Sequence, residues 1–280
     1  MKELLQKIVD ILLTDVTELP SKLHKRKDTG LVVSHPAPGI IGVATHKGPK
    51  MFNEDVVLEG SSWGINFLIL ADGLGGCSHG GNAAKLTANT FHDEIEKIIK
   101  TSGKVQFNDI EPIYYSCAAK IKKHSRNGKG WKTTVICVVE NQDDLLITYL
   151  GDGQVYLVRG DVESGIPLMV GHRVNGLLGG VVGPEITARP VIIRISKAFT
   201  KGEIIIAGTD GIFNPELKTA KPELLMELLA YIREKIRTDS MNNILRHFID
   251  ELYAQDLLND NASLGVIITS RAHTTILNRR

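Results

Sequence analysis

Apolar residues Leu4, Leu5, Ile8, Ile11 and Leu12 recur at helical spacing and give way to a polar, basic stretch over 21–27. This pattern predicts a short N-terminal helix and linker over residues 1–30, with the helix packed on the domain rather than on a partner. From residue 39 the texture changes to short β-rich runs at 40–44, 56–58 and 65–71, separated by Gly, Asn, Pro or Ser. Residues 82–99 place Ala84, Ala88, Phe91, Ile95 and Ile98 on one helical face. A second helix is expected to open with Asp109 as N-cap, Pro112 in its first turn, and Ile113, Cys117 and Ile121 facing inward.

Strands resume at 133–139, 145–150 and 155–159, joined by turn-rich segments that include Gly151-Asp152-Gly153. They read as an antiparallel meander. The following loop, with Gly171, Gly176, Gly179, Gly180 and Gly183, is long enough to be expected as a mobile functional lid. Strands at 191–195 and 203–207 precede two helices whose faces are Leu225, Leu228, Ile232 and Ile236, then Ile244, Phe248 and Leu252. A last strand is predicted at 264–269. Helices thus arrive in pairs between runs of strands, which favours a layered α+β architecture over a doubly wound sheet.

Composition narrows the function classes. The 33 basic and 32 acidic residues nearly cancel, so the bulk field of a general nucleic-acid binder is missing. Three cysteines without a CxxC spacing suggest neither a disulfide framework nor a zinc knuckle, and a reducing compartment fits. No run approaches the roughly 20 apolar residues that span a bilayer. A cytoplasmic protein without membrane insertion is expected.

Four acidic motifs adjoin apolar strands: Asn53-Glu54-Asp55, Asp72-Gly73-Leu74-Gly75-Gly76, Thr209-Asp210-Gly211 and Asp260-Asn261. Taken singly, each is an ordinary solvated turn. Together they change the picture, because converging carboxylates repel unless protons or cations neutralise them. Oxygen-only ligands without His or Cys select Mg²⁺ or Mn²⁺ over Zn²⁺. The glycines beside Asp72 and Asp210 let the backbone approach a ligand. The Asp72 loop is not a dinucleotide fingerprint, since the third glycine of that pattern falls at Ser78. There is no P-loop and no GxSxG elbow.

The ordered set Asn-Glu-Asp, Asp-Gly-Leu-Gly-Gly, Lys-Thr-Thr, Gly-Asp-Gly, Thr-Asp-Gly and Asp-Asn, spread over residues 40–270, resembles the bacterial form of the PPM family, the protein phosphatase type 2C enzymes. The resemblance implies a phosphatase domain over 31–273, built as a four-layer α-β-β-α sandwich of two antiparallel sheets with a pair of helices on each outer face. It implies two Mn²⁺ or Mg²⁺ ions held by Asp55, Asp72, the Gly73 carbonyl, Asp210 and Asp260, with Asp72 bridging. These aspartates would act catalytically through the bound metals. Lys132-Thr133-Thr134 and Gly151-Asp152-Gly153 stand at positions that are structural rather than catalytic, and Leu177-Leu178-Gly179 resembles the loop before the penultimate strands.

Departures from the family pattern shape the reading. Lys50 stands where an arginine commonly binds substrate phosphate, keeping the charge but losing the bidentate fork. Leu74 replaces a histidine that some members carry, and His79 nearby reads as a surface residue. A third-metal aspartate has no match over 117–123. The expected function is Mg²⁺- or Mn²⁺-dependent hydrolysis of phosphoserine and phosphothreonine in proteins by a metal-activated water. The alternative is a catalytically weak pseudophosphatase acting as a binding or regulatory module. A two-metal nuclease is disfavoured by the balanced charge and the lack of an aromatic, basic stripe. Partners implied are a phosphoprotein substrate and a cognate Ser/Thr kinase, with the chain itself a monomer.

Overall fold

The computed structural model describes residues 39–125, 130–159, 165–174, 177–196, 203–213 and 222–269. The expected N-terminal helix and linker, and Gly176 of the long loop, lie outside the described residues. Twelve strands and four helices are described: β1 (Ile40–His46), β2 (Asp55–Ser62), β3 (Ile65–Asp72), α1 (Gly80–Ser102), α2 (Phe107–His124), β4 (Val135–Glu140), β5 (Asp144–Leu150), β6 (Gln154–Arg159), β7 (Gly165–Pro167), β8 (Arg173–Val174), β9 (Leu177–Leu178), β10 (Val191–Ser196), β11 (Glu203–Gly208), α3 (Pro222–Lys235), α4 (Met241–Ala254) and β12 (Ala262–Ile268). One antiparallel sheet runs β1-β12-β11-β6-β7 and the other β10-β5-β4-β3-β2, with β8 and β9 as a separate hairpin.

Alternation along the strands builds four layers. In β3, Ile65, Phe67, Ile69 and Ala71 point at α1 and α2, while Leu68 and Leu70 point at the other sheet. A strand buried on both faces reads as a continuous apolar run, as residues 65–71 do. Likewise Leu264, Val266 and Ile268 of β12 face α3 and α4, while Ile267 joins Leu68, Leu70, Ile136 and Ile205 between the sheets. Each such buried side chain contributes about 1.5–3 kcal/mol, which gives the sandwich the margin to carry a polar end. The open edge at β1 is covered: Asn242 of α4 accepts the Val43 N–H at 2.8 Å and donates to Glu59 at 3.0 Å.

Three local expectations are corrected. The segments 145–150 and 155–159 do not form a meander: β4 and β5 pair, but β6 crosses to the other sheet and pairs with β11. The crossing follows Gly151, whose φ of 142° lies where a side chain is strained and whose Cβ would collide with Thr134. Helix α2 opens at Phe107 with Gln106 as N-cap, not at Asp109. Asp109 still serves that end, because its carboxylate accepts the Gln106 N–H at 2.8 Å from the first turn. Pro112 therefore lies inside the helix, beyond its first turn. Near the end of the glycine-rich loop, Val182 is fully buried and exchanges backbone hydrogen bonds of 3.0 and 2.8 Å with Thr133.

Candidate metal-binding cleft

The inner faces of the strands turn from apolar to polar at one end of the sandwich. The same parity that buries Leu68 and Leu70 brings Asp72 inward, and Val57 of β2 is followed in this way to Asp55. Ile205 and Ala207 lead to Thr209, Ile267 leads to Ser263, and Val43 leads to Thr45. These polar ends meet. Asp55 Oδ2 accepts from Ser263 Oγ at 2.7 Å and from Thr209 Oγ1 at 3.1 Å, and Ser263 Oγ also lies 2.8 Å from Thr45 Oγ1.

Asp55 and Asp72 are cross-strand partners. The Gly73 N–H donates to the Glu54 carbonyl at 3.2 Å, so ladder alternation leaves Asp55 and Asp72 in the non-hydrogen-bonded position, where Cα atoms approach to about 4.5 Å and side chains are closest. Like charges so placed oppose folding. Burial pushes the Asp55 carboxyl up to about 6 against the hydrogen bonds from Ser263 and Thr209. Burial, with the charges of Asp55 and Asp210 and then Asp152, pushes Asp72 well above the carboxylate range.

Asp72, Asp210 and Asp260 line a cleft of about 390 Å³ with Gly73, Leu74, Thr134, Asp152, Leu178 and the loop residues Lys50, Met51 and Phe52. Five of the expected site residues therefore border one cavity, and Asp55 lies buried just behind Asp72. Asp260 is held differently from the inner aspartates. Its Oδ2 pairs with Lys50 Nζ at 3.1 Å, both side chains half-exposed, and its Oδ1 accepts the Asn261 N–H at 2.8 Å. Lys50 is thus engaged with one of the expected metal ligands. His79 is exposed at the start of α1, its ring 5.3 Å from Trp131, and does not line the cleft.

Two supports hold the site. Thr133 Oγ1 and the Thr134 N–H both donate to the Asp72 carbonyl, at 2.7 and 2.8 Å, which gives Lys132-Thr133-Thr134 its structural part. Asn261, buried, accepts the Glu54 N–H at 2.9 Å and donates to the Lys47 and Phe52 carbonyls at 2.8 and 3.0 Å. It staples the β1–β2 loop over the start of β12. Gly48 in that loop has φ 57°, and a Cβ there would collide with the Asp260 carbonyl.

Sequence reasoning missed Ser263, Thr209 and Asp152 as site residues. The signal for the first two was a polar residue at the inward parity where each apolar strand ends. For Asp152, it was the glycine on either side of a carboxylate at a sheet-to-sheet crossing.

The carboxylates fit a hard divalent cation. Asp55 Oδ1 is buried with no hydrogen-bond partner among the described residues, the donors are oxygen only, and the crowding of negative charge calls for a counter-ion. Among the described residues, no three His, Cys, Asp or Glu side chains are already grouped as a ligand set. The fit is therefore one of charge and donor type.

The protein phosphatase 2C family model matches residues 44–250. The solved structure of the Mycobacterium tuberculosis serine/threonine phosphatase PstP/Ppp superposes with a TM-score of 0.64 at 17% identity, over 82% of this chain and 98% of that one. The S. agalactiae serine/threonine phosphatase gives 0.62 at 18% identity, over 82% and 99%. PppA, a regulatory component of the type VI secretion system of Pseudomonas aeruginosa, gives 0.64 at 15% identity, over 83% and 98%. At these identities the structures speak for the fold, and no curated protein sequence matches. With the family model covering well over half of its length, and with two antiparallel sheets between helix pairs, the chain belongs to the protein phosphatase 2C family.

Proposed function

We propose that the chain hydrolyses phosphoserine and phosphothreonine in proteins, with Mn²⁺ or Mg²⁺ held by Asp55, Asp72, the Gly73 carbonyl, Asp210 and Asp260. The observation that carries this reading is the inward meeting of Asp55 and Asp72 beside Asp210, where burial and mutual repulsion raise both carboxyls above their ordinary range. Such a cluster is costly to keep without a cation to neutralise it. When bound, the cations would supply an acidified water and neutralise phosphoryl oxygens.

The chain's own residues do the remainder. Ser263 and Thr209 fix Asp55 through its Oδ2, leaving Oδ1 for a cation to bind, and Thr133 with Thr134 fixes the Asp72 backbone. Lys50, on the rim, offers an ammonium to the substrate phosphate. Leu74, Leu178 and Phe52 give the cleft apolar edges that limit water. Among the described residues no helix is long and apolar enough to cross a membrane.

A second reading, a pseudophosphatase that binds without turnover, is favoured by one observation: Lys50 already neutralises Asp260. Hydrolysis of a phosphothreonine peptide with and without Mn²⁺, and with chelator, separates the two. Mn²⁺-dependent phosphate release supports the enzyme. Peptide binding without release under every condition overturns it.

A further inference from the structure

Met51 and Phe52 are the most exposed large apolar side chains among the described residues, at 80% and 72%, and both border the cleft. Their exposure is built in. Asn261 grips the carbonyls of Lys47 and Phe52, Glu54 N–H bonds back to Asn261, and the Lys50 N–H closes a turn on the Lys47 carbonyl at 3.3 Å. Gly48 adopts the left-handed conformation that brings this turn against the Asp260 carbonyl. A loop clamped at both ends thus holds two apolar side chains in water beside a charged cavity, at a cost in hydration that a contacting ligand would relieve.

We propose that Met51 and Phe52 form a selectivity wall that receives a large apolar side chain one or two residues from the phosphorylated residue of a protein substrate. The inference rests on the phosphatase reading and deepens it. Lys50 is the only cationic side chain lining the cleft among the described residues, and it immediately precedes the Met51-Phe52 pair in the sequence. A phosphate drawn to Lys50 puts the neighbouring substrate residues within reach of the wall, since an extended chain advances about 3.3–3.6 Å per residue. Leu74 and Leu178, the other apolar borders of the cleft, are both less exposed than Met51 and Phe52, and the remaining borders are acidic, polar or small. A phosphorylated protein segment offers both the anion and the apolar neighbour; nucleic acid offers phosphate to a cavity whose floor is carboxylate.

The test compares kcat/KM with Mn²⁺ on two phosphothreonine peptides, one flanked by leucine at the two positions on either side and one flanked by glycine. The parent should prefer the leucine peptide by roughly tenfold, carried by KM. In the double variant Met51→Ser/Phe52→Ser the preference should fall towards one, while Phe52→Leu keeps it. Thermal stabilisation of each variant by Mn²⁺ certifies its fold and site. A parent without preference, or a double variant that keeps it, overturns the wall but not the phosphatase reading. A parent that releases phosphate from neither peptide overturns both. If light scattering shows a parental dimer that the serine variant dissolves with selectivity unchanged, the patch belongs to a second copy and the proposal falls.

Discussion

Asp55 and Asp72 face one another across the β2–β3 ladder in its non-hydrogen-bonded register, with Asp55 anchored by two hydroxyls and Asp72 pressed by three further or facing carboxylates. A raised folded-state pKa means that the folded protein holds its proton more tightly than the unfolded chain. Stability from such a group is present at low pH and is lost as pH rises.

For Asp55 the window runs from its ordinary value of 3.8 to about 6. Metal-free protein should therefore lose stability between about pH 4 and pH 6–7, by on the order of 3 kcal/mol from this group. Calorimetry in chelator, comparing the parent with Asp55→Asn, checks it. The difference between the two melting curves should grow with pH through that window; a difference independent of pH would remove Asp55 as its source.

Asp72→Asn and Asp210→Asn should raise the melting temperature of chelated protein or leave it unchanged, because each removes charge from the cluster. Both should lose most turnover, at least roughly a hundredfold, with Mn²⁺. Added Mn²⁺ should stabilise the parent by about 2.7 kcal/mol at a hundred times its dissociation constant, and the variants far less. Differential scanning fluorimetry across a Mn²⁺ series reads this without reference to turnover. Parental thermal response in both variants would mean that these aspartates are not ligands.

Lys50→Ala separates two roles for one ammonium. Its pair with Asp260 is half-exposed, so the loss of stability should be small, about 0–1 kcal/mol. Loss of a charge-assisted phosphate contact should lower kcat/KM by about 1.5–3 kcal/mol, and Lys50→Arg should preserve it. Because the alanine variant also frees Asp260, isothermal titration should show tighter Mn²⁺ binding. Unchanged kinetics with tighter Mn²⁺ binding would leave Lys50 as a partner of Asp260 alone.

Asn261→Ala strips three part-buried hydrogen bonds from backbone groups of the β1–β2 loop. Unfolding in urea should report a loss of about 3 kcal/mol. Asn261→Asp should be little better, since a carboxylate cannot donate to the Lys47 and Phe52 carbonyls. An aspartate variant as stable as the parent would show that the staple acts only through Glu54.

The layers of this protein were legible because alternation and helical spacing are written locally: residues 65–71 read as a strand buried on both faces, and Ile244, Phe248 and Leu252 as a helix face, both of which the fold contains. The destination of β6 was not, since the Gly151 crossing and a hairpin turn look alike in one dimension. Of the site, the aspartates stood out by chemistry and their gathering around one cleft follows from the fold. Ser263 did not stand out, because a serine opening an apolar strand has meaning only once Asp55 is seen beside it. The Lys50–Asp260 pair joins positions far apart in the chain and depends on a loop conformation that no local pattern specifies.

Asn261 gives the cleft a division between what must stay and what is free to vary. It clamps the loop at Lys47 and Phe52, while its chain neighbours serve the site beneath: Asp260 lines the cleft and Ser263, in β12, holds Asp55. Substitutions at Met51, whose side chain stands in solvent between the clamps, can therefore re-letter the rim without shifting the aspartates beneath it. What the rim presents to an incoming molecule is thereby uncoupled from the geometry of the carboxylates below it.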